Sequence, residues 1–181
     1  DYQFGFEKFN LNISGAPAVT AVNYDAAFTS TQSYFTVDPS DENLAANLET
    51  ITSAAIDETK SVMFIAGSDF TPAFSATQGG GRWRVEKREL KSGRLCDGLN
   101  GNCGGVAAFG TLGTYFYDAT TKNEQVEDIA LATEGGTDYV YVLGNDYVPS
   151  LTNSEWRLEK LNAMSSAKET NFNFTGIVVS N

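Results

Sequence analysis

The chain holds 181 residues, 41% hydrophobic and 19% charged, which supports a packed core and excludes a disordered chain. A formal net charge of −11 speaks against nucleic acid and anionic lipid as partners. Histidine is absent, so a Ser-His-Asp triad, a Cys-His dyad and the usual zinc sites are excluded. The longest apolar runs, VMFIAG at 62–67 and YVYVLG at 139–144, are too short to insert across a bilayer.

In chain order, residues 1–25 read as an N-terminal extended segment, with Tyr2, Phe4 and Phe6, then Phe9, Leu11 and Ile13, in alternation. Residues 26–95 read as a first four-stranded unit, with strands near 33–37, 50–57, 61–67 and 82–90. A short turn of helix is expected only at 42–48, in DENLAANL. The turn at 58–60 joins the second strand to the third. Along the fourth strand, Trp83 and Val85 face one way and Arg82, Arg84 and Arg88 the other.

Residues 96–106 form a Gly-rich connector, and Cys96 and Cys103 within it are spaced for a short disulfide across a turn. A single such pair implies an oxidising compartment, and the alternative is two free thiols. Residues 107–165 read as a second unit, with strands near 114–118, 126–133, 138–144 and 155–161 and a hairpin turn at 134–137. Residues 166–181 read as a C-terminal strand, carried by FNFTGIVVS. Apolar terminal strands need a sheet to cover them.

The two units are copies. SVMFIAGSDF at 61–70 aligns with DYVYVLGNDY at 138–147, RWRVEKREL at 82–90 with EWRLEKLNA at 155–163, and AAFTSTQSYF at 26–35 with AAFGTLGTYF at 107–116. Gly67 then matches Gly144, Trp83 matches Trp156, and Phe28 matches Phe109. Three blocks in the same order point to duplication.

WRVEKRELKSGRL, the Gly-rich GNCGGVAAFG, VEDIALATEGGTDYVYVLGND and WRLEKLNA together resemble the repeats of secreted bacterial and archaeal β-propeller proteins of the delta-60 kind. The resemblance spans roughly residues 26–163. It implies one four-stranded meander per repeat and no shared catalytic residues. A propeller closes with about four to eight blades, and two copies fall short of that. The expected fold is therefore all-β: two tandem four-stranded blade-like antiparallel units, stacked as in a propeller or a sandwich, with extended terminal strands.

Several residues offer chemistry. Asn12 and Asn173 open glycosylation sequons. Arg82, Arg84, Lys87, Arg88, Lys91 and Arg94 hold half of the twelve basic residues. They form either an assembly strip, with Arg82, Arg84, Arg88 and Arg94 its core, or a solvated strand face paired to carboxylates. Phe70 and Tyr147 occupy equivalent positions after the third strands, where an aromatic stacks on a sugar or caps the core. Asp38, Asp41 and Glu42, with Asp69 and Asp146, could hold calcium, but they lack the EF-hand order. No carboxylate pair stands out by spacing, so no catalytic residue, metal site or cofactor is expected.

These features lead to an extracellular or cell-surface, non-enzymatic protein whose main partner is itself. The expected function is a structural subunit that forms a filament or surface layer by strand pairing between subunits. The alternative is a secreted carbohydrate- or protein-binding module of propeller type, oligomeric or part of a longer propeller.

Overall fold

The computed structural model describes residues 9–10, 23–24, 50–69, 81–91, 93, 95–98, 107–117, 124–147, 154–170 and 172. Among them nine strands occur: β1 (Phe9–Asn10), β2 (Asn23–Tyr24), β3 (Thr50–Asp57), β4 (Val62–Asp69), β5 (Arg82–Glu89), β6 (Thr114–Tyr117), β7 (Gln125–Glu134), β8 (Thr137–Tyr147) and β9 (Ser154–Asn162). There is no helix among the described residues. The all-β reading holds, and seven of the eight strands expected within the repeats are present. The eighth, at 33–37, lies outside the described residues, as do the helical turn at 42–48 and most of both terminal strands.

β1 pairs with β2 in a short antiparallel ribbon. The other strands build two antiparallel sheets, ordered β3-β4-β5-β6 and β7-β8-β9. One placement differs from a simple count of four strands per copy. β6, expected to open the second unit, hydrogen-bonds to β5 and forms the outer strand of the first sheet, with Trp83 opposite Tyr117 and Glu86 opposite Thr114. Alternation along a strand does not say which edge it joins; only the long-range pairing does.

The sheets repeat each other in detail. A bulge interrupts β3 between Ile51 and Ser53, and another interrupts β7 between Val126 and Asp128. Each lies opposite the repeated glycine, since Ile51 pairs with Gly67 and Val126 with Gly144. Such an extra residue bends the strand and raises its twist. The β7–β8 hairpin turns on Gly135 and Gly136, at φ 58° and 83°, the left-handed pair that matches strand twist. The β3–β4 turn runs from Glu58 to Ser61, and Ser61 takes φ 54°.

After β5 the chain hooks back: Gly93 N–H donates to Glu89 O (2.8 Å), Cys96 N–H donates to Lys87 O (2.8 Å), and Leu95 bridges Arg88. After β9, Ser166 N–H donates to Asn162 O (3.0 Å), Glu169 N–H donates to Lys160 O (2.9 Å), and Lys168 bridges Leu161. All three contacts are displaced by the same number of residues as Trp83 and Trp156.

The core lies between the sheets. Val62, Phe64, Ala66, Trp83 and Val85 of the first meet Val126, Ile129, Val140, Val142 and Leu161 of the second. Phe109 stands edge-on to Phe64 at 5.5 Å, closing one end of this layer. β3 runs beside β7, and the Ser53 hydroxyl donates to Asp128 at 2.6 Å.

Candidate assembly surface

Directly paired residues share a sheet face, so register assigns every side chain to one of two faces. On the first sheet one face carries Phe64, Ala66, Trp83, Val85, Lys87 and Tyr117, and it packs on the second sheet. The opposite face carries Ile51, Met63, Ile65, Gly67, Arg84, Glu86 and Phe116. We call these the front and the back. On the second sheet the equivalents of the back, Val126, Val140, Val142, Gly144, Arg157 and Glu159, face the first sheet. The two copies therefore stack front to back.

Individual contacts carry this assignment. The Trp83 indole lies against Gly144, where an added Cβ would come within 2.6 Å of the ring, and its Nε1–H donates to Asn145 O at 3.1 Å. Arg157 stacks on the Tyr117 ring at 4.1 Å and donates to Asp146 at 3.1 Å, while the Tyr117 hydroxyl donates to Asp146 at 2.7 Å. In the first copy the equivalent arginine, Arg84, points the other way, toward the Phe116 ring at 5.7 Å. The shared alternation of Trp83 with Val85 and of Trp156 with Leu158 would let the tryptophan face of each copy pack on a neighbouring sheet. The first copy does so; in the second the arginine face is the packed one, because stacked copies related head to tail meet by unlike faces.

Front-to-back stacking leaves one front uncovered by a sheet among the described residues. Trp83 is 0% exposed, and its equivalent Trp156 is 39% exposed. Around Trp156 the front of the second sheet carries Tyr139, Tyr141, Leu143, Leu158 and Lys160, all half-buried. Lys160 lies 4.0 Å over the Tyr139 ring and pairs with Glu134 at 2.6 Å, which holds its ammonium above the usual lysine range. Phe172 packs edge-on to Tyr141 at 5.7 Å. At the other end of the stack, Met63 and Ile65 are buried, while Ile51 and Ile56 at the β3 margin stay exposed. Their equivalents Val126 and Leu131 belong to the interior of the stack.

The basic residues of β5 do not form a solvated strip. Arg84 and Arg88 are buried on either side of buried Glu86, which accepts from Arg84 Nε at 2.7 Å and from Arg88 Nε at 2.8 Å. Arg88 also donates to Gly93 O at 2.8 Å. Positions two apart share a face, so the glutamate between the two arginines pairs with both; the basic count alone hid this. Arg82 remains half-exposed over Phe116 at 3.9 Å. In the second copy Leu161 replaces Arg88, and Glu159 keeps Arg157 and Lys168 on one oxygen. Its buried Oε2 has no partner among the described residues.

Lys87, counted by sequence among the basic cluster, is buried on the opposite face. It donates to Ala163 O at 3.0 Å and to Ala107 O at 2.7 Å. Burial pushes its pKa down to about 8. It lies on the wall of a cleft of about 900 Å³ between the hairpin ends of the two sheets, lined also by Asp57, Thr59, Thr133, Asp138 and Tyr139. Across the mouth, Lys60 joins Asp57 (2.8 Å) to Asp138 (3.0 Å), and with Thr59 it holds Asp57 down to about 2.

Phe70, Arg94, Cys103, Asn12 and Asn173 lie outside the described residues, as do Asp38, Asp41 and Glu42. Tyr147 ends β8 opposite Ser154, and Asp69 ends β4 opposite Arg82. The Asp146 carboxylate is engaged by Tyr117 and Arg157. Cys96 is buried, and no described cysteine is free. Among the described residues no group of three His, Cys, Asp or Glu is spaced for a metal, and no helix is long and apolar enough to cross a membrane. The chain matches no protein-family model, no curated protein and no solved structure.

Proposed function

We propose that this protein is an extracellular structural subunit that self-assembles into a filament or surface layer through its β-sheets. The observation that carries the reading is the contrast between Trp83, fully buried on Gly144, and Trp156, 39% exposed on the equivalent strand. Head-to-tail stacking is heterologous: repeated by a rotation that does not close, it extends without limit. The front around Trp156 at one end and, at the other, the β3 margin with exposed Ile51 and Ile56 are the unlike surfaces left for such stacking, since Met63, Ile65, Arg84 and Arg88 on the rest of that back are already buried within the chain. Covering the rest of Trp156 would remove roughly 100 Å² of indole from water, worth about 2 kcal/mol per contact before ordering costs. Front-to-back stacking of two antiparallel sheets is compatible with reading each sheet as a blade-like unit. The expected Cys96–Cys103 bridge and glycans at Asn12 and Asn173 fit export to an oxidising compartment.

The test is sedimentation velocity with negative-stain imaging across protein and salt concentration. Concentration-dependent oligomers or fibres are expected, and monodisperse monomer throughout would remove the proposal. The cleft beside Lys87 supports a second reading, a carbohydrate- or protein-binding module, since Asp57, Asp138, Thr133 and Tyr139 offer polar and aromatic contacts suited to a sugar. A glycan array without hits would dispose of its carbohydrate form.

A further inference from the structure

The cleft between the hairpin ends of the two sheets has a buried amine in its wall. Lys87 is 3% exposed. Its Nζ donates to Ala107 O at 2.7 Å and to Ala163 O at 3.0 Å, and lies 5.7 Å from the centre of the Phe64 ring. Ala107, Ala163 and Phe64 all line the cleft with Lys87, which sets the amine at the cleft surface. Among the described residues no carboxylate pairs with it.

The number of acceptors favours one protonation state. A neutral amine has two N–H groups and a lone pair, and two carbonyls are in place to accept both N–H groups. An ammonium adds a third N–H, which has no acceptor among the described residues, and a buried donor without a partner is costly. Lys60, at the mouth of the same cleft, is the contrast. It joins Asp57 at 2.8 Å to Asp138 at 3.0 Å, and these partners hold it charged above the usual lysine range. At Lys87 the same two carboxylates attract a proton and Lys60 repels one, but the loss of water outweighs them and favours the neutral form.

We infer that the cleft takes a small hydroxyaldehyde and that Lys87 Nζ condenses with its carbonyl carbon to form an imine. This goes beyond the assembly reading and rests on the second one, that the cleft admits a ligand. A desolvated lysine amine is a nucleophile for carbonyl carbon. Its lone pair adds to the aldehyde carbon and one N–H proton passes to the carbonyl oxygen, giving a carbinolamine. The hydroxyl then leaves as water with the second N–H proton, and the C=N bond forms. Amine and aldehyde become imine and water, with no oxidant, reductant or leaving group to supply. Protonated from solvent, the imine nitrogen keeps one N–H for the carbonyls of Ala107 and Ala163. Volume and lining suit such a ligand: about 900 Å³, apolar at Val62, Phe64 and Leu131, with Thr133 and Asp138 to meet its hydroxyl groups.

The experiment treats full-length protein at pH 7.5 with glycolaldehyde and cyanoborohydride, which fixes an imine as a secondary amine, and locates the modified lysines by peptide mass. With a pKa of about 8, about a quarter of the Lys87 amine is neutral there, against about one in a thousand of an ordinary lysine. Lys87 should be labelled at least about tenfold faster than any of the other six lysines. Met164→Trp adds bulk at an exposed residue of the cleft lining and should slow Lys87 severalfold while the other lysines keep their rates. A Lys87 label no faster than that of exposed Lys91 overturns the inference. So does one that forms only in urea, or one that Met164→Trp leaves unchanged. Replacing glycolaldehyde with lactose separates the sources: labelling by both assigns the site to the reducing end of a sugar as well, and labelling by glycolaldehyde alone to free short aldehydes. A glycan array without hits leaves the imine site standing, and a missing Lys87 label leaves non-covalent binding in the cleft standing.

Discussion

Gly144→Ala tests the stacking of the two copies at its tightest point. An added Cβ would stand 2.2 Å from Gln125 O and 2.6 and 2.8 Å from two atoms of the Trp83 ring. The first neighbour is backbone and the second a fully buried indole, so neither yields without moving a strand. Overpacking of this kind costs about 1–3 kcal/mol, and losing the Trp83–Asn145 hydrogen bond adds about 1 kcal/mol. The expected loss is therefore about 2–4 kcal/mol, or roughly 5–15 °C in Tm for a chain of this size. Urea unfolding followed by tryptophan fluorescence measures it. A double-mutant cycle with Trp83→Leu separates the two clashes: the indole's share should appear as coupling above about 0.5 kcal/mol, and the carbonyl's share should remain. A Gly144→Ala protein within about 0.5 kcal/mol of wild type would refute front-to-back stacking against this glycine.

The two tryptophans should behave as different residues despite their shared motif. Trp83→Ala is expected to cost about 3–5 kcal/mol in chemical denaturation, and Trp156→Ala under about 1.5 kcal/mol in the monomer while reducing assembly in sedimentation. Lys87 gives a pH signature. Its folded pKa, about 8, lies below its unfolded 10.5. Between these values the unfolded chain binds more protons, so stability should rise from pH 8 toward pH 9.5, by on the order of 1–2 kcal/mol. Burial raises the Tyr115 and Tyr117 hydroxyls above their usual value, so the trend should reverse above pH 10. Thermal melts of wild type and Lys87→Met at pH 7, 8 and 9 check this, and a rise that survives in Lys87→Met would exclude Lys87 as its source. Lys60→Ala, which removes the link from Asp57 to Asp138, should cost no more than about 1 kcal/mol and less at high salt, read from the same melts. Non-reducing and reducing peptide maps should show Cys96 joined to Cys103, and free thiols in native protein would contradict the disulfide.

Local pattern determined much of this protein. The apolar run VMFIAG and the alternation in RWRVEK mark strands whose ends agree with β4 and β5 to within two residues, and the repeated glycine and tryptophan mark the duplication. The second hairpin turn was equally legible, because Gly135-Gly136 is suited to the left-handed backbone that a two-residue hairpin requires. Each of these rests on interactions within a few residues of chain. Facing and pairing are another matter. Alternation separates Trp156 from Arg157 but does not say which of them turns toward the other sheet, and it cannot place β6 beside β5. Nor could composition reveal that Arg84 and Arg88 bury a glutamate between them, or that Lys87 reaches the carbonyl of Ala163, 76 residues away. These outcomes are decided by which surfaces exclude water together once both copies are folded, a property of the stacked pair that neither copy's sequence contains alone.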